Sequence, residues 1–146
     1  MTDNTRRVVV TGLGIVSPVG SSIDKAWENI KNGVSGIRKI SSFDASGFSV
    51  QISGSVVDFN ADDYITPKNQ KKMDTFIHYG IGASVMAIND AGLEINEGNS
   101  DRVGVSIGSG IGGLPYIEKN YGNFLNSGPR KISPFFVPSS IINMVS

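Results

Sequence analysis

The chain has 146 residues, with 13 basic and 13 acidic side chains that cancel to a formal net charge of zero. A pI near 6.6 and a mean hydropathy of −0.03 argue against a general nucleic-acid binder, a disordered charged segment and a membrane span. Cysteine is absent and His78 is the sole histidine, which excludes a disulfide framework, thiolate zinc sites, thiol catalysis by these residues and a histidine-rich metal cage.

Residues 7–16 read as a first core strand: Val8, Val9 and Val10, then Leu13, Ile15 and Val16 threaded between Gly12 and Gly14. This apolar run is too short for a signal peptide, so a cytoplasmic location is expected. Ser17-Pro18-Val19-Gly20 ends the strand. Ser21, with Asp24 three residues on, predicts a capping-box start for a helix with Ile23, Ala26, Trp27 and Ile30 as its apolar stripe. Gly33 stands where a left-handed C-cap belongs. Residues 34–60 look irregular, with short strand candidates at Val50 to Ile52 and Ser55 to Val57.

A helical insert is expected over 61–92. Thr66 and Pro67 open a short helix as N-cap and first helical residue. Asp74 caps a second helix running to about Asp90, with Met73, Ile77, Ile81, Val85 and Ile88 inward and Gly92 as its stop. Gly80, Gly82, Ala83, Ser84 and Ala87 keep that helix slim, so close neighbours are expected. Residues 102–108 read as a second core strand, Val103, Val105 and Ile107 alternating with small residues. Leu114, Ile117, Tyr121 and Leu125 predict an amphipathic helix, then a loop from Asn126 to Pro138. Ser139 or Ser140 would cap a last helix. The element order is that of an α/β fold with parallel pairing. Two strands make a poor sheet and Ile141 to Val145 is apolar, so the front part of a longer protein is expected.

Gly12-Leu13-Gly14 lacks the third glycine of a dinucleotide fingerprint, and Pro18 delays the helix; the plainer reading is a strand end passing close to another backbone. Gly108-Ser109-Gly110-Ile111-Gly112-Gly113 joins a strand to a helix without the lysine of a phosphate-binding loop. It would be either an anion nest at a helix N-terminus or a loop stripped of side chains so that Ile111 alone projects; the second reading is favoured. Lys68, Lys71 and Lys72 share a helix face, and Arg130 and Lys131 add a second cationic pair; if the segments meet, they form a patch suited to an acidic protein or a phosphate. His78, without a paired carboxylate, reads as structural. Ser133-Pro134-Phe135-Phe136-Val137-Pro138 is an apolar loop that should enter a pocket or an interface.

Taken in order, several stretches carry a resemblance: Arg7-Val8-Val9-Val10-Thr11-Gly12-Leu13-Gly14, Ser17-Pro18-Val19-Gly20, Gln70-Lys71-Lys72-Met73-Asp74, the run Gly108 to Gly113, and Gly128-Pro129-Arg130-Lys131-Ile132-Ser133-Pro134-Phe135-Phe136-Val137-Pro138-Ser139. Together they resemble the start of a β-ketoacyl-acyl-carrier-protein synthase of the elongating KAS II type. The resemblance implies an α/β, thiolase-like fold with α-β-α-β-α layers, of which these residues would be an incomplete N-terminal half, with pocket and dimer loops at 108–138. It further implies a homodimeric acyltransferase that condenses a cysteine-bound acyl chain with malonyl-carrier protein, losing carbon dioxide, with no cofactor and no metal. The family's catalytic cysteine and histidines would lie beyond Ser146, so these residues alone should be inert. By position, Ile111 and Phe136 match residues of the acyl pocket, Phe136 reaching the partner subunit's pocket floor. Lys68, Lys71, Lys72, Arg130 and Lys131 match the docking surface for acyl carrier protein, whose phosphopantetheine holds the acyl and malonyl groups. Lys71 stands where many relatives have arginine. Two other readings stay open: a non-catalytic chain-length factor of a polyketide system, and a nucleotide-binding α/β module.

Overall fold

The structure, a computed structural model, describes residues 6–146. Helix α1 (Ile23–Lys31) is followed by strands β1 (Ile37–Lys39) and β2 (Ile52–Gly54), then helices α2 (Pro67–Gln70), α3 (Thr75–Asp90), α4 (Leu114–Ser127) and α5 (Phe136–Ser140). Short 3-10 turns lie at Ala61–Asp63, Ser100–Arg102, Pro129–Lys131 and Ile142–Val145.

Among the described residues the only sheet is an antiparallel pair, β1 on β2, with Arg38 opposite Ser53. Neither is one of the core strands expected to pair in parallel; β1 is not among the expected strands, and β2 overlaps the candidate Val50 to Ile52 at Ile52. Residues 7–16 and 102–108 adopt no ladder, and Ser100–Arg102 is a 3-10 turn. The physical reason is that a strand is a relation between two backbones. Instead, the Leu13 amide donates to Asp90 Oδ2 at 2.8 Å, and the Ile107 amide donates to the Ser146 hydroxyl at 2.9 Å. Val8 and Val10 stay 89% and 80% exposed.

α3 organises the rest. It is apolar around most of its circumference because it is covered from several sides. Asp74 caps it, Gly92 (φ +58°) ends it, and Ile77 is its deepest residue at 2% exposure. Most of the small residues receive a neighbour: Gly80 faces Val145, Gly82 faces the Phe59 ring, and Ala83 and Ala87, with Ala91 just after the helix, receive Gly12 and Gly14. The Gly12-Leu13-Gly14 turn is thus a close backbone approach rather than a nucleotide loop. Phe59 stacks on Tyr64 and meets Tyr79 edge-on at 5.3 Å, closing that side of the helix.

α1 starts one residue later than expected. Ser22 is its N-cap, accepting the Lys25 amide, while Ser21 donates its hydroxyl to Asp58 at 2.7 Å. Of the expected stripe only Ala26 is buried; Ile23, Trp27 and Ile30 remain exposed. Lys25 pairs with Asp58 at 2.8 Å. The Lys25 ammonium and the Ser21 hydroxyl draw the Asp58 carboxyl down from 3.8 to about 2. A depressed carboxylate stabilises the fold above its unfolded value, and that contribution is lost as pH falls through the folded one. Asp58→Asn should therefore lower the melting temperature at pH 6 and converge with the unmodified protein between pH 4 and 2. Equal melting temperatures at pH 6 would show that the pair contributes nothing.

Candidate functional site

The glycine loop at 108–113 divides by position. Gly112 has φ +84°, and a Cβ on Gly113 would lie 2.7 Å from the Ser139 carbonyl oxygen and 2.6 Å from Asp74 Oδ2. Gly108 and Gly110 meet nothing within 4 Å. The amides at the helix end of the loop are already committed. Gly112 N–H donates to Ser109 Oγ, Gly113 N–H to the Ser140 carbonyl, Leu114 N–H to the Gly112 carbonyl and Tyr116 N–H to Asp74 Oδ2. Pro115 has no N–H to offer. Free donors are what an anion nest needs, so the geometry favours the steric reading of the loop. Ile111 stands on it with 69% of its surface exposed.

Behind the loop lies a buried polar node. Asp74, Asn120, Ser139 and Ser140 are all buried, where the ends of α2, α3, α4 and α5 meet. Asp74 Oδ1 accepts from the Thr75 amide at 2.6 Å and Oδ2 from the Tyr116 amide at 2.9 Å, so one carboxylate serves the N-termini of both α3 and α4. Ser139 donates to the Lys72 carbonyl at 2.6 Å, which ties α5 to the end of α2. Asn120 accepts the Ser133 amide at 2.8 Å and donates to the Tyr116 carbonyl, while the Tyr116 hydroxyl donates to Ser133 Oγ. No buried side-chain polar atom among the described residues lacks a partner.

This node corrects two expectations. Ser139 and Ser140 cap no following helix; they close α5, because their hydroxyls reach carbonyls of Lys72 and Phe136. Part of the expected 126–138 loop is helical, Phe136 being the first residue of α5. Phe136 lines an apolar groove of about 290 Å³ with Ile117, Tyr121, Phe124 and Ile132. Ile111 is not part of that groove, so the two acyl-pocket candidates are not brought together within one chain.

Of the five cations, Lys68 and Lys71 lie exposed on and just after α2, and Arg130 and Lys131 lie exposed on the turn Pro129–Lys131. Lys72 is half-buried, its ammonium 5.6 Å from the centre of the Phe135 ring. Among the described residues none of the five is in an ion pair. α2 and the 129–131 turn are not principal packing partners; the chain just after α2 meets the later segment at Lys72, which lies over Phe135 and whose carbonyl accepts from Ser139. His78 places Nε2 3.3 Å from the Gln70 carbonyl, in keeping with a structural histidine.

The profile of the family described as "Beta-ketoacyl synthase, N-terminal domain" matches residues 5–146. The chain belongs to the β-ketoacyl synthase family. It is 53% identical over 141 residues to 3-oxoacyl-[acyl-carrier-protein] synthase 2 of Vibrio harveyi, covering 97% of this chain and 34% of that protein. The chain thus spans about a third of the length of the curated relatives it matches. Among solved structures it superposes on the ishigamide ketosynthase/chain length factor with TM-score 0.79 and 28% identity, over 97% of this chain and 35% of that one. A second match, at TM-score 0.74 and 25% identity over 94% of this chain and 35% of that one, is a type II polyketide acyl-carrier protein in complex with its ketosynthase. The fold is accordingly that of the N-terminal part of a thiolase-like ketosynthase. Within this β-ketoacyl synthase segment, no helix of the described residues is long and apolar enough to cross a membrane.

The second partner of Asp74 and the roles of Asn120, Ser133 and Ser139 are absent from the sequence reading. One signal was available. Asn120 sits three residues after Ile117, on the apolar stripe of α4, where a buried amide must find hydrogen bonds.

Proposed function

We propose that the chain is the part of an elongating 3-oxoacyl-[acyl-carrier-protein] synthase that bounds its acyl pocket and carries its carrier-docking surface. The observation that carries this reading is the 53% identity to a named synthase across nearly the whole chain. In the proposed enzyme an acyl chain is held as a thioester on a cysteine supplied outside these cysteine-free residues. Malonyl-carrier protein loses carbon dioxide, and the resulting carbanion attacks the thioester carbonyl. A carbon–carbon bond forms, the thiolate leaves, and the acyl chain grows by two carbons.

Ile111 and Phe136 shape the acyl pocket in this reading, without forming or breaking bonds themselves. Their separation in one chain suits a homodimer in which Phe136 serves the partner's pocket. Lys68, Lys71, Lys72, Arg130 and Lys131 receive the acidic carrier protein, a partnership supported by the solved ketosynthase–carrier complex. The enzyme works in the cytoplasm, without cofactor or metal.

The test is acyl-chain selectivity of the full-length protein. Ile111→Phe should cut condensation of long acyl chains by roughly tenfold or more while sparing short ones, since one added ring blocks depth rather than entry. Equal loss at every chain length would contradict the pocket role. The resemblance to a ketosynthase/chain length factor favours one alternative, a non-catalytic partner subunit. Carrier binding without acyl loading or carbon dioxide release would establish it.

A further inference from the structure

A cleft of about 250 Å³ lies where the corner between α2 and α3 meets the first turns of α4, and Gln70, Lys71, Asp74, Thr75, Tyr116 and Lys119 form much of its wall. Lys71 and Lys119 come from elements far apart in sequence, are both exposed, and neither is in an ion pair among the described residues. Asp74 is the one acid on the wall, and its two oxygens already accept the Thr75 and Tyr116 amides. The neighbouring acids are turned to other tasks. Asp62 accepts from Gln70 Nε2 at 2.7 Å, and Glu118 borders a different opening beside Phe43 and Phe48. Two ammonium groups against one carboxylate leave the cleft wall net positive, a field that attracts an anionic group.

The backbone narrows the class of that group. With the leading amides of α3 and α4 capped by Asp74, the cleft offers side-chain ammonium donors rather than a wrap of N–H groups. Lysine acts as a flexible point charge, which can meet a single carboxylate without fixed bidentate geometry. We infer that Lys119 and Lys71 together receive an Asp or Glu side chain of the acyl carrier protein, extending the docking surface from α2 onto α4. This rests on the carrier-binding function proposed above, and Lys119 adds a contact outside the five cations of that surface.

The experiment titrates acyl carrier protein into the full-length protein at low and high salt. Lys119→Glu should weaken binding roughly five- to tenfold at low salt and Lys119→Gln by less, with the differences shrinking in high salt. Thermal melts of both variants should match the unmodified protein, because the side chain is exposed. Lys68→Glu and Arg130→Glu run in parallel as the test of the docking surface itself. If those two weaken the carrier and Lys119→Glu does not, the Lys119 cleft is overturned while the docking surface stands. If none of the three weakens it, the carrier-binding reading fails as well.

Discussion

Gly14→Ala should destabilise the protein by about 3 kcal/mol or more, out of proportion to one added methyl group. The added Cβ would fall on the Ala83 carbonyl oxygen, with the Ala83 carbonyl carbon and the Ala87 amide nitrogen each 2.9 Å away. Those obstacles are backbone atoms of α3, so no rotamer change relieves them. Either the 7–16 segment lifts from α3 or the helix moves, and both disrupt the docking that holds Leu13 to Asp90. Gly33→Ala is the comparison: nothing lies within 4 Å of its Cβ, and the cost there is the φ of +66° alone. Thermal and urea melts of the full-length protein should place Gly14→Ala well below Gly33→Ala. Equal losses would mean that the contact between 7–16 and α3 is not close.

Asp74→Ala should also cost roughly 3 kcal/mol, because a single carboxylate satisfies two helix ends. Losing an ordinary N-cap costs about 1 kcal/mol, and a buried amide left without an acceptor adds about 1–3 kcal/mol. Here the carboxylate is 5% exposed, so water cannot readily replace it. Its charge also lies at the positive ends of α3 and α4. Asp74→Asn retains one acceptor oxygen and should recover part of the loss. Beyond stability, the variant should release the Tyr116 amide and loosen the 108–113 loop, which hydrogen exchange at Gly112 and Gly113 would register. Unchanged exchange there would show that the Ser109 hydroxyl and the Ser140 carbonyl hold the loop without Asp74.

The elements legible in the sequence are those whose signals are local. α3 and α4 follow from apolar spacing; Asp74, Thr66, Gly33 and Gly92 mark helix ends because a cap acts within a few residues. The displacement of the α1 cap from Ser21 to Ser22 shows where locality stops. Two adjacent serines are equivalent to a pattern, and Asp58, far along the chain, takes the first of them. The same limit explains the strands. Val8 to Val10 has the composition of a buried strand, but its pairing depends on a neighbour that composition cannot name. The polar node is illegible for the same reason, since Asp74 reaches Tyr116 across 42 positions and Ser139 reaches Lys72 across 67. Among the candidate site residues, Phe136 falls on an apolar groove and Ile111 on an exposed loop. Only the resemblance, not any periodicity, joined them to one pocket.

We propose that these 146 residues form a wall of a larger ketosynthase assembly rather than a self-sufficient unit. A folded monomer of this mass exposes about 7,200 Å² by the usual scaling with size. This chain exposes 11,052 Å², and Val8, Val10, Ile111, Leu125 and Val137 are among the large apolar residues left uncovered. A surface of that kind requires other protein against it. Sedimentation velocity combined with thermal melting of the 146-residue chain tests this most directly. Self-association, aggregation or a broad non-cooperative melt is the predicted result; a monodisperse 15.5 kDa species with a sharp cooperative transition would contradict it.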